Sequence, residues 1–270
     1  MHEILRNLCA GAIVLDLGSG GKGSVGTECY PGIRLIRLDN ERPKFACEDG
    51  FVQGDGARLP FGDNVFDAVI ANHSLEHIDD LDGALKEIGR VVRSDGSLYV
   101  AVPDASTLTD RLYRWIFHGG GHVNAFRSAG ESEGLIAAVT GLKPVAMRTL
   151  YTSLIFLGRH HFHPRPPRKL WLFGNGNLRF IAWLTYALRL IDGAFGTRTS
   201  VYGWAFYFGK IHEEIASAVW TNVCVQCGSG HSSASLLVNG AVRRASLAIR
   251  CYHCPICAAW NLFTEDHVVY

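Results

Sequence analysis

Val14-Leu15-Asp16-Leu17-Gly18-Ser19-Gly20-Gly21-Lys22-Gly23 carries an apolar segment with one acid straight into a glycine-rich turn. An α/β sheet opens a pocket for a nucleotide-like ligand in this way, because glycines close the turn tightly and let the backbone approach the ligand. Residues 12–17 are therefore read as a first, buried strand ending at a pocket. Working outward, residues 34–38 before Asp39 read as a second strand, Phe51–Gln53 as a short third and residues 64–71 as a fourth. Residues 81–92 place Leu81, Ala84, Leu85, Ile88, Val91 and Val92 at helical spacing. Ser94-Asp95-Gly96 is expected to stop that helix, with a strand over 97–102 closed by Pro103. A helix over 132–140 stopped by Gly141, a strand over 143–150 and a last strand over 201–208 complete the series. Strands alternating with helices imply an α/β fold with a doubly wound, mostly parallel sheet.

With 270 residues, 48% of them hydrophobic and 19% charged, the chain can bury a substantial core and is read as one main domain with an appendage. A net charge of +1 lacks the basic excess of a nucleic-acid binder, so no nucleic-acid partner is expected. Residues 1–8 contain charges and no long apolar core, which predicts no secretory signal and a cytoplasmic location. Five of the eight cysteines crowd into positions 224–257, while Cys9, Cys29 and Cys47 stand apart. That pattern suits a metal site in a reducing compartment better than a disulfide framework.

The glycine turn admits three ligand readings. A triphosphate-cradling loop needs Gly-Lys-Ser/Thr, whereas Lys22 is followed by Gly23 and Asp16 stands where the first glycine belongs, so that reading fails. Gly18, Gly20 and Gly23 do satisfy G-x-G-x-x-G, with Asp39 about twenty residues on, which keeps a nicotinamide cofactor open. The third reading rests on the ordered series Asp16-Leu17-Gly18-Ser19-Gly20, Asp39, Gly54-Asp55-Gly56-Ala57-Arg58-Leu59-Pro60-Phe61, Phe66-Asp67-Ala68-Val69-Ile70, Leu75-Glu76-His77-Ile78 and Glu87 through Gly96. The series resembles the class I S-adenosylmethionine-dependent methyltransferases, most closely the type 11 group. It covers roughly the first half of the chain, and His122-Val123-Asn124-Ala125-Phe126 and Thr140-Gly141-Leu142 look like the next landmarks.

The resemblance implies a Rossmann-like methyltransferase sheet and a set of roles. Gly18, Ser19 and Gly20 would let the backbone meet the methionine portion of S-adenosylmethionine, with Asp16 holding the loop or meeting the amino group through water. Asp39 would accept from the ribose hydroxyls, with Asn40 beside it. Asp55 would receive the adenine amino group, with Gly56 and Ala57 supplying backbone contacts, and Asn72 and His73 would line the floor below the sulfonium. Acids and glycines at strand ends also serve as plain turn residues. Methyl transfer needs mainly alignment, with a base added when the acceptor is a hydroxyl. His73 is the candidate base; the alternative is a histidine that packs or hydrogen-bonds in the pocket wall. Glu76 and His77 are read as capping or bracing the next helical region. His118 and His122 flank Gly119-Gly120-Gly121, a flexible place suited to an acceptor-side loop or to a plain linker.

The chain departs from that family in its connections. The segment 23–32 is rich in glycine and ends near proline, leaving room for about two turns of crossover helix. About ten residues precede the first strand, where relatives carry a helical cap. An insertion over 158–198 is expected to supply the missing cover. Within it, 178–191 is apolar and aromatic between Arg179 and Arg189, too short to span a bilayer, which takes about twenty residues. It reads as a core helix or, with 170–177, as a peripheral membrane contact.

Cys224-Val225-Gln226-Cys227-Gly228 and Cys254-Pro255-Ile256-Cys257 are two C-x-x-C pairs with twenty-six residues between Cys227 and Cys254. Two such turns on facing hairpins make a tetrahedral, closed and therefore structural zinc site. Cys251 and His253 are close enough to compete as ligands, and free or redox-active thiols are the other reading. Residues 236–249 are expected to form a hairpin through an Asn239-Gly240 turn. The expected organisation is a methyltransferase domain over 1–215 and a small β zinc-ribbon module over 219–270. The acceptor is expected to be a small molecule, a glycan or a lipid. A nicotinamide-dependent oxidoreductase and a non-catalytic scaffold organised around the ribbon are the competing functions.

Overall fold

The computed structural model describes residues 1–19, 24, 30–42, 50–157, 177–211, 222–245 and 249–265. Gly20 and most of the segments 23–32 and 158–176 lie outside the described residues. Those described fall into two compact units. The first draws on Met1–Pro103, Val123–Arg148 and Trp204–Ala218, the second on Asp104–His122, Thr149–Gly203 and Val219–Tyr270.

The first unit is built on a seven-stranded sheet of order β3-β2-β1-β4-β5-β7-β6. Its strands are β1 (Ile13–Leu17), β2 (Arg34–Asp39), β3 (Phe51–Gln53), β4 (Phe66–Asn72), β5 (Val92–Pro103), β6 (Pro144–Tyr151) and β7 (Val201–Gly209). The pairs β1·β2, β1·β4, β2·β3 and β4·β5 are all parallel. β1 and β4 are apolar runs buried almost throughout, as strands covered on both faces must be. A short helix, α1 (His2–Arg6), precedes β1.

The helix α2 (Leu81–Val91) starts where the Asp80 side chain accepts from the Gly83 N–H at 2.9 Å, and buries Ala84, Leu85, Ile88 and Val91. It packs on α4 (Ala129–Thr140) through Gly89, where a Cβ would come within 2.5 Å of the Thr140 carbonyl oxygen. Gly141, in the left-handed conformation, ends α4. Residues 93–96 do not separate α2 from a strand, as the sequence suggests, but form a bulge inside β5. Phe66 pairs with Val92 while Ala68 already pairs with Ser97.

The second unit contains α3 (Leu108–Ile116), α5 (Leu178–Phe195) and a small β module. The module holds α6 (Ser233–Val238), the pair β8 (Asn222–Val223) and β9 (Gly230–His231), and the antiparallel strands β10 (Val242–Arg244), β11 (Arg250–His253) and β12 (Trp260–Leu262). Cys251, Trp260 and Leu262 of the module share one core with Ile116 and Phe117, Leu154 and Phe156, and Ile181 and Ala182 of α5.

One reading changes here. The expected hairpin through Asn239-Gly240 is a helix end instead. Ser232 caps α6 by accepting from the Ser235 N–H at 3.1 Å, Gly240 stands at φ 62°, and the hairpin is formed by β10 and β11. Arg189, which bounds the apolar stretch 178–191, is drawn inward. It is buried, donates to Thr264 Oγ1 at 2.8 Å and lies over the Tyr151 ring. On the other side of α5, Trp183, Leu190, Ile191 and Phe195 are exposed. Among the described residues no helix is long and apolar enough to cross a membrane.

Candidate functional site

The strand order turns back between β1 and β4, and in a parallel sheet the crevice outside the carboxyl ends at such a point is where ligands bind. Asp16 is fully buried in β1, and its Oδ2 accepts the Ser24 backbone N–H at 2.7 Å, so it holds the glycine turn. Burial pushes its carboxyl group above the ordinary range against the pull of that hydrogen bond. The Gly18 and Ser19 N–H groups both donate to the Leu38 carbonyl, at 2.8 and 3.3 Å, which hooks the turn over the end of β2. Gly18 stands at φ 73°, and a Cβ there would lie 2.3 Å from the Ser74 Cβ. Its glycine is thus required first by protein packing, a reason the motif alone does not reveal.

Asp39 closes β2 half-buried, accepting from the Glu41 N–H at 3.1 Å. Asn40 is exposed, and its carbonyl accepts from Gln53 Nε2 at 3.0 Å. Beyond β3, exposed Asp55 closes a turn by accepting the Ala57 N–H at 2.9 Å. Gly56 packs so closely on Ile78 that a Cβ would come within 2.9 Å of its Cδ1. Asn72 ends β4. His73 follows at φ 55°, with its N–H bonded to the Ala101 carbonyl at 2.9 Å. A non-glycine residue in this conformation stores strain, which clusters where function fixes a side chain. Its ring is one-fifth exposed, and Nδ1 lies 3.8 Å from an oxygen of buried Glu76.

The structure therefore gathers Asp16, Gly18, Ser19, Asp39, Asn72 and His73 at the carboxyl ends of three adjacent strands, with Asn40 and Asp55–Ala57 after β2 and β3. Ser74 is the residue sequence reasoning missed, since spacing carries no sign of what packs on a glycine. Among the described residues, Asp16 Oδ1, Ser19 Oγ and Ser74 Oγ are buried without a hydrogen-bond partner. Buried polar groups are normally satisfied. Three orphaned atoms around one glycine turn, with carboxylates at the neighbouring strand end, fit the amino, carboxylate and ribose groups of S-adenosylmethionine.

The cysteine centre lies in the second unit. The four Sγ atoms of Cys224, Cys227, Cys254 and Cys257 all lie within 4.8 Å of one another. Cys224 is 3.5 Å from Cys257 and Cys227 is 3.7 Å from Cys254, near the separation of about 3.8 Å that zinc–sulfur bonds of about 2.3 Å impose on a tetrahedron. The two knuckles repeat one geometry. The Cys224 and Cys254 N–H groups donate to the Ser229 and Ala259 carbonyls, and the Gly228 and Ala258 N–H groups donate back to the Cys224 and Cys254 carbonyls. The crowded sulfurs shift one another in opposite directions: the nearby Cys224 pulls the Cys254 thiol down to about 5, while the nearby Cys227 pushes Cys224 up. Thiolates this close need a cation to coexist. Cys251 and His253 do not join them: Cys251 is buried in the core, where desolvation pushes its thiol up to about 12, and His253 is exposed beside the Ala258 carbonyl.

Sheet order, glycine turn and strand-end acids together define a Rossmann-like methyltransferase fold. Residues 9–100, about a third of the chain, match the family model described as a methyltransferase domain. The chain is similar to a demethylmenaquinone methyltransferase of Mycolicibacterium gilvum, 34% identical over 113 residues, 41% of this chain and 46% of that relative. It is also similar to one of Corynebacterium glutamicum, 36% identical over 101 residues, 37% of this chain and 41% of the relative. The chain thus spans less than half the length of these relatives. In fold it resembles a chain from the complex of the Haloferax volcanii Trm112 methyltransferase activator with a methyltransferase. That likeness has a TM-score of 0.51 at 18% identity and covers 78% of this chain and 88% of the other.

Proposed function

We propose that the protein transfers a methyl group from S-adenosylmethionine to a small-molecule acceptor. The observation that carries this reading is the crevice at the β1/β4 turning point, where Asp16, Ser19 and Ser74 present unpartnered buried atoms around the Gly18 turn. Asp16, Gly18 and Ser19 would hold the amino-acid end of the cofactor, Asp39 its ribose and Asp55–Ala57 its base. The cofactor supplies an activated methyl group, so the protein's task is alignment and exclusion of water. His73, fixed by its backbone strain at the end of β4, would accept the proton of an acidic acceptor group. Among acceptor classes, the similarity to enzymes named for demethylmenaquinone supports a small organic molecule.

The four-cysteine centre would hold one zinc ion. With all four ligands supplied by protein, the ion is structural and folds the module.

Isothermal calorimetry with the full chain tests the central reading: S-adenosylmethionine and its demethylated product should bind and NAD should not. Asp39→Ala should weaken binding at least about tenfold, as loss of a charged hydrogen-bond partner costs about 1.5–3 kcal/mol. A folded protein that binds neither cofactor form would overturn the assignment. Mass-spectrometric detection of extract compounds that gain a labelled methyl group would then identify the acceptor.

A further inference from the structure

Asn261 sits in β12, two residues beyond the second knuckle, and is buried. Its side chain engages both halves of the cysteine centre. Oδ1 accepts the Val225 N–H of the first knuckle at 3.0 Å, while Nδ2 donates to the Ala259 carbonyl of the second at 2.9 Å and to Cys224 Sγ at 3.5 Å. At the second knuckle, His231 Nε2 lies 3.4 Å from Cys254 Sγ, and its ring meets the Tyr252 ring edge to face. Neither residue belongs to the group of four sulfurs. Both offer nitrogen to a ligand sulfur, His231 as a donor when Nε2 carries the proton.

We propose that Asn261 and His231 are positioning residues of the metal centre, donating N–H to the sulfurs of Cys224 and Cys254 and so setting how long the ion is retained. This rests on the zinc reading above. Four thiolates around a divalent ion leave two surplus negative charges in a largely buried site. Hydrogen bonds to the sulfurs disperse that charge, and such outer partners typically carry about 10–100-fold in metal affinity. Asn261 adds a second effect: by bridging Val225 to Ala259 it fixes the separation of the two knuckles, and with it the tetrahedron.

The test uses the purified full chain. Elemental analysis reads the zinc content, and transfer of zinc to a coloured chelator reads its retention. Asn261→Asp keeps an oxygen for the Val225 N–H but places a carboxylate in place of the donor to Cys224. His231→Phe keeps the ring beside Tyr252 without its nitrogen, and His231→Gln restores a donor. With one zinc per wild-type chain, Asn261→Asp and His231→Phe should release it about 10–100-fold faster, and His231→Gln should recover most of the loss. In the cobalt-loaded protein the sulfur-to-metal charge-transfer band should shift in both variants, which a merely structural role would not cause. Should Asn261→Asp fail to fold, His231→Phe and its glutamine rescue decide alone. A wild-type chain without zinc defeats the metal reading itself. A loaded wild type whose variants release zinc at the unchanged rate defeats the positioning roles only.

Discussion

Gly18 and Ser74 occupy one another's space: at φ 73°, any Cβ on residue 18 would lie 2.3 Å from the Ser74 Cβ. The turn that ends β1 is therefore pressed against the first residues after β4, and the crevice at the β1/β4 turning point is shaped from both sides. Gly18→Ala combines a left-handed penalty of about 1–2 kcal/mol with a collision between two backbone-proximal carbons. We expect the variant to melt several degrees lower and to bind S-adenosylmethionine at least about tenfold more weakly by calorimetry. Adding Ser74→Gly removes the collision but not the backbone penalty, so the double variant should recover part of the stability. A Gly18→Ala protein with wild-type melting and affinity would refute the packing account.

The two knuckles make the same turn with different residues, and the difference is testable. Gly228 takes the left-handed position of the first at φ 67°, and Ala258 takes it in the second at φ 59°. Only the glycine adopts this conformation freely. Ala258→Gly should relieve the strain and raise the stability of the zinc-loaded chain by about 0.5–1 kcal/mol. Gly228→Ala should lower it by about 1–2 kcal/mol. Thermal melts in excess zinc measure both; shifts of the same sign would contradict the repeated geometry.

Buried acid sets a pH dependence in the second unit. Asp110 is almost wholly buried, receives the Arg114 Nε–H at 2.5 Å and lies 3.1 Å from His122 Nδ1. Burial by itself would raise its pKa, but the hydrogen bonds from His122 and Arg114 outweigh it and leave the carboxyl below the ordinary range. An acid whose pKa is lower folded than unfolded stabilises fully above the unfolded value of about 3.9, and that stabilisation is lost as the pH falls through the lower folded value. Asp110→Asn should cost about 1–3 kcal/mol near neutrality, and the gap between the two melting curves should close below about pH 4. A gap independent of pH would show that the charge on Asp110 contributes nothing.

How far the fold could be read in advance follows from which interactions are local. The sheet was legible because strands buried on both faces are short apolar runs and because glycine marks the break at Gly18. The grouping of the four cysteines is legible because two C-x-x-C turns carry their own spacing, and the fold brings all four sulfurs within 4.8 Å of one another. The helix α6 was not, since Leu236, Leu237 and Val238 before Asn239-Gly240 suit a hairpin as well as a capped helix, and Ser232 decides. The role of Arg189 is not legible either, because nothing in sequence shows that Thr264, seventy-five positions away, receives its donor. Ser74 and Asn261 were invisible for the same reason: each acts through a partner that only the fold brings near.

Helix α5 and the cysteine module are parts of one packed body, and metal removal should reveal it. Ile181 and Ala182 of α5 share a core with Cys251, Trp260 and Leu262. Arg189 bonds to Thr264, which exchanges two hydrogen bonds with Asn222 at 2.8 Å each. The module's strands are two to four residues long, so on the zinc reading proposed above an ion closing the knuckles would be needed to hold that core. Stripping zinc with a strong chelator should therefore accelerate amide hydrogen exchange over 222–265 and also over 178–195. Exchange in β1, β4 and β5, whose core is separate, should stay near its starting rate. If exchange rose in 222–265 while α5 kept its protection, the helix would owe its stability to other contacts, and the shared core would not couple it to the metal.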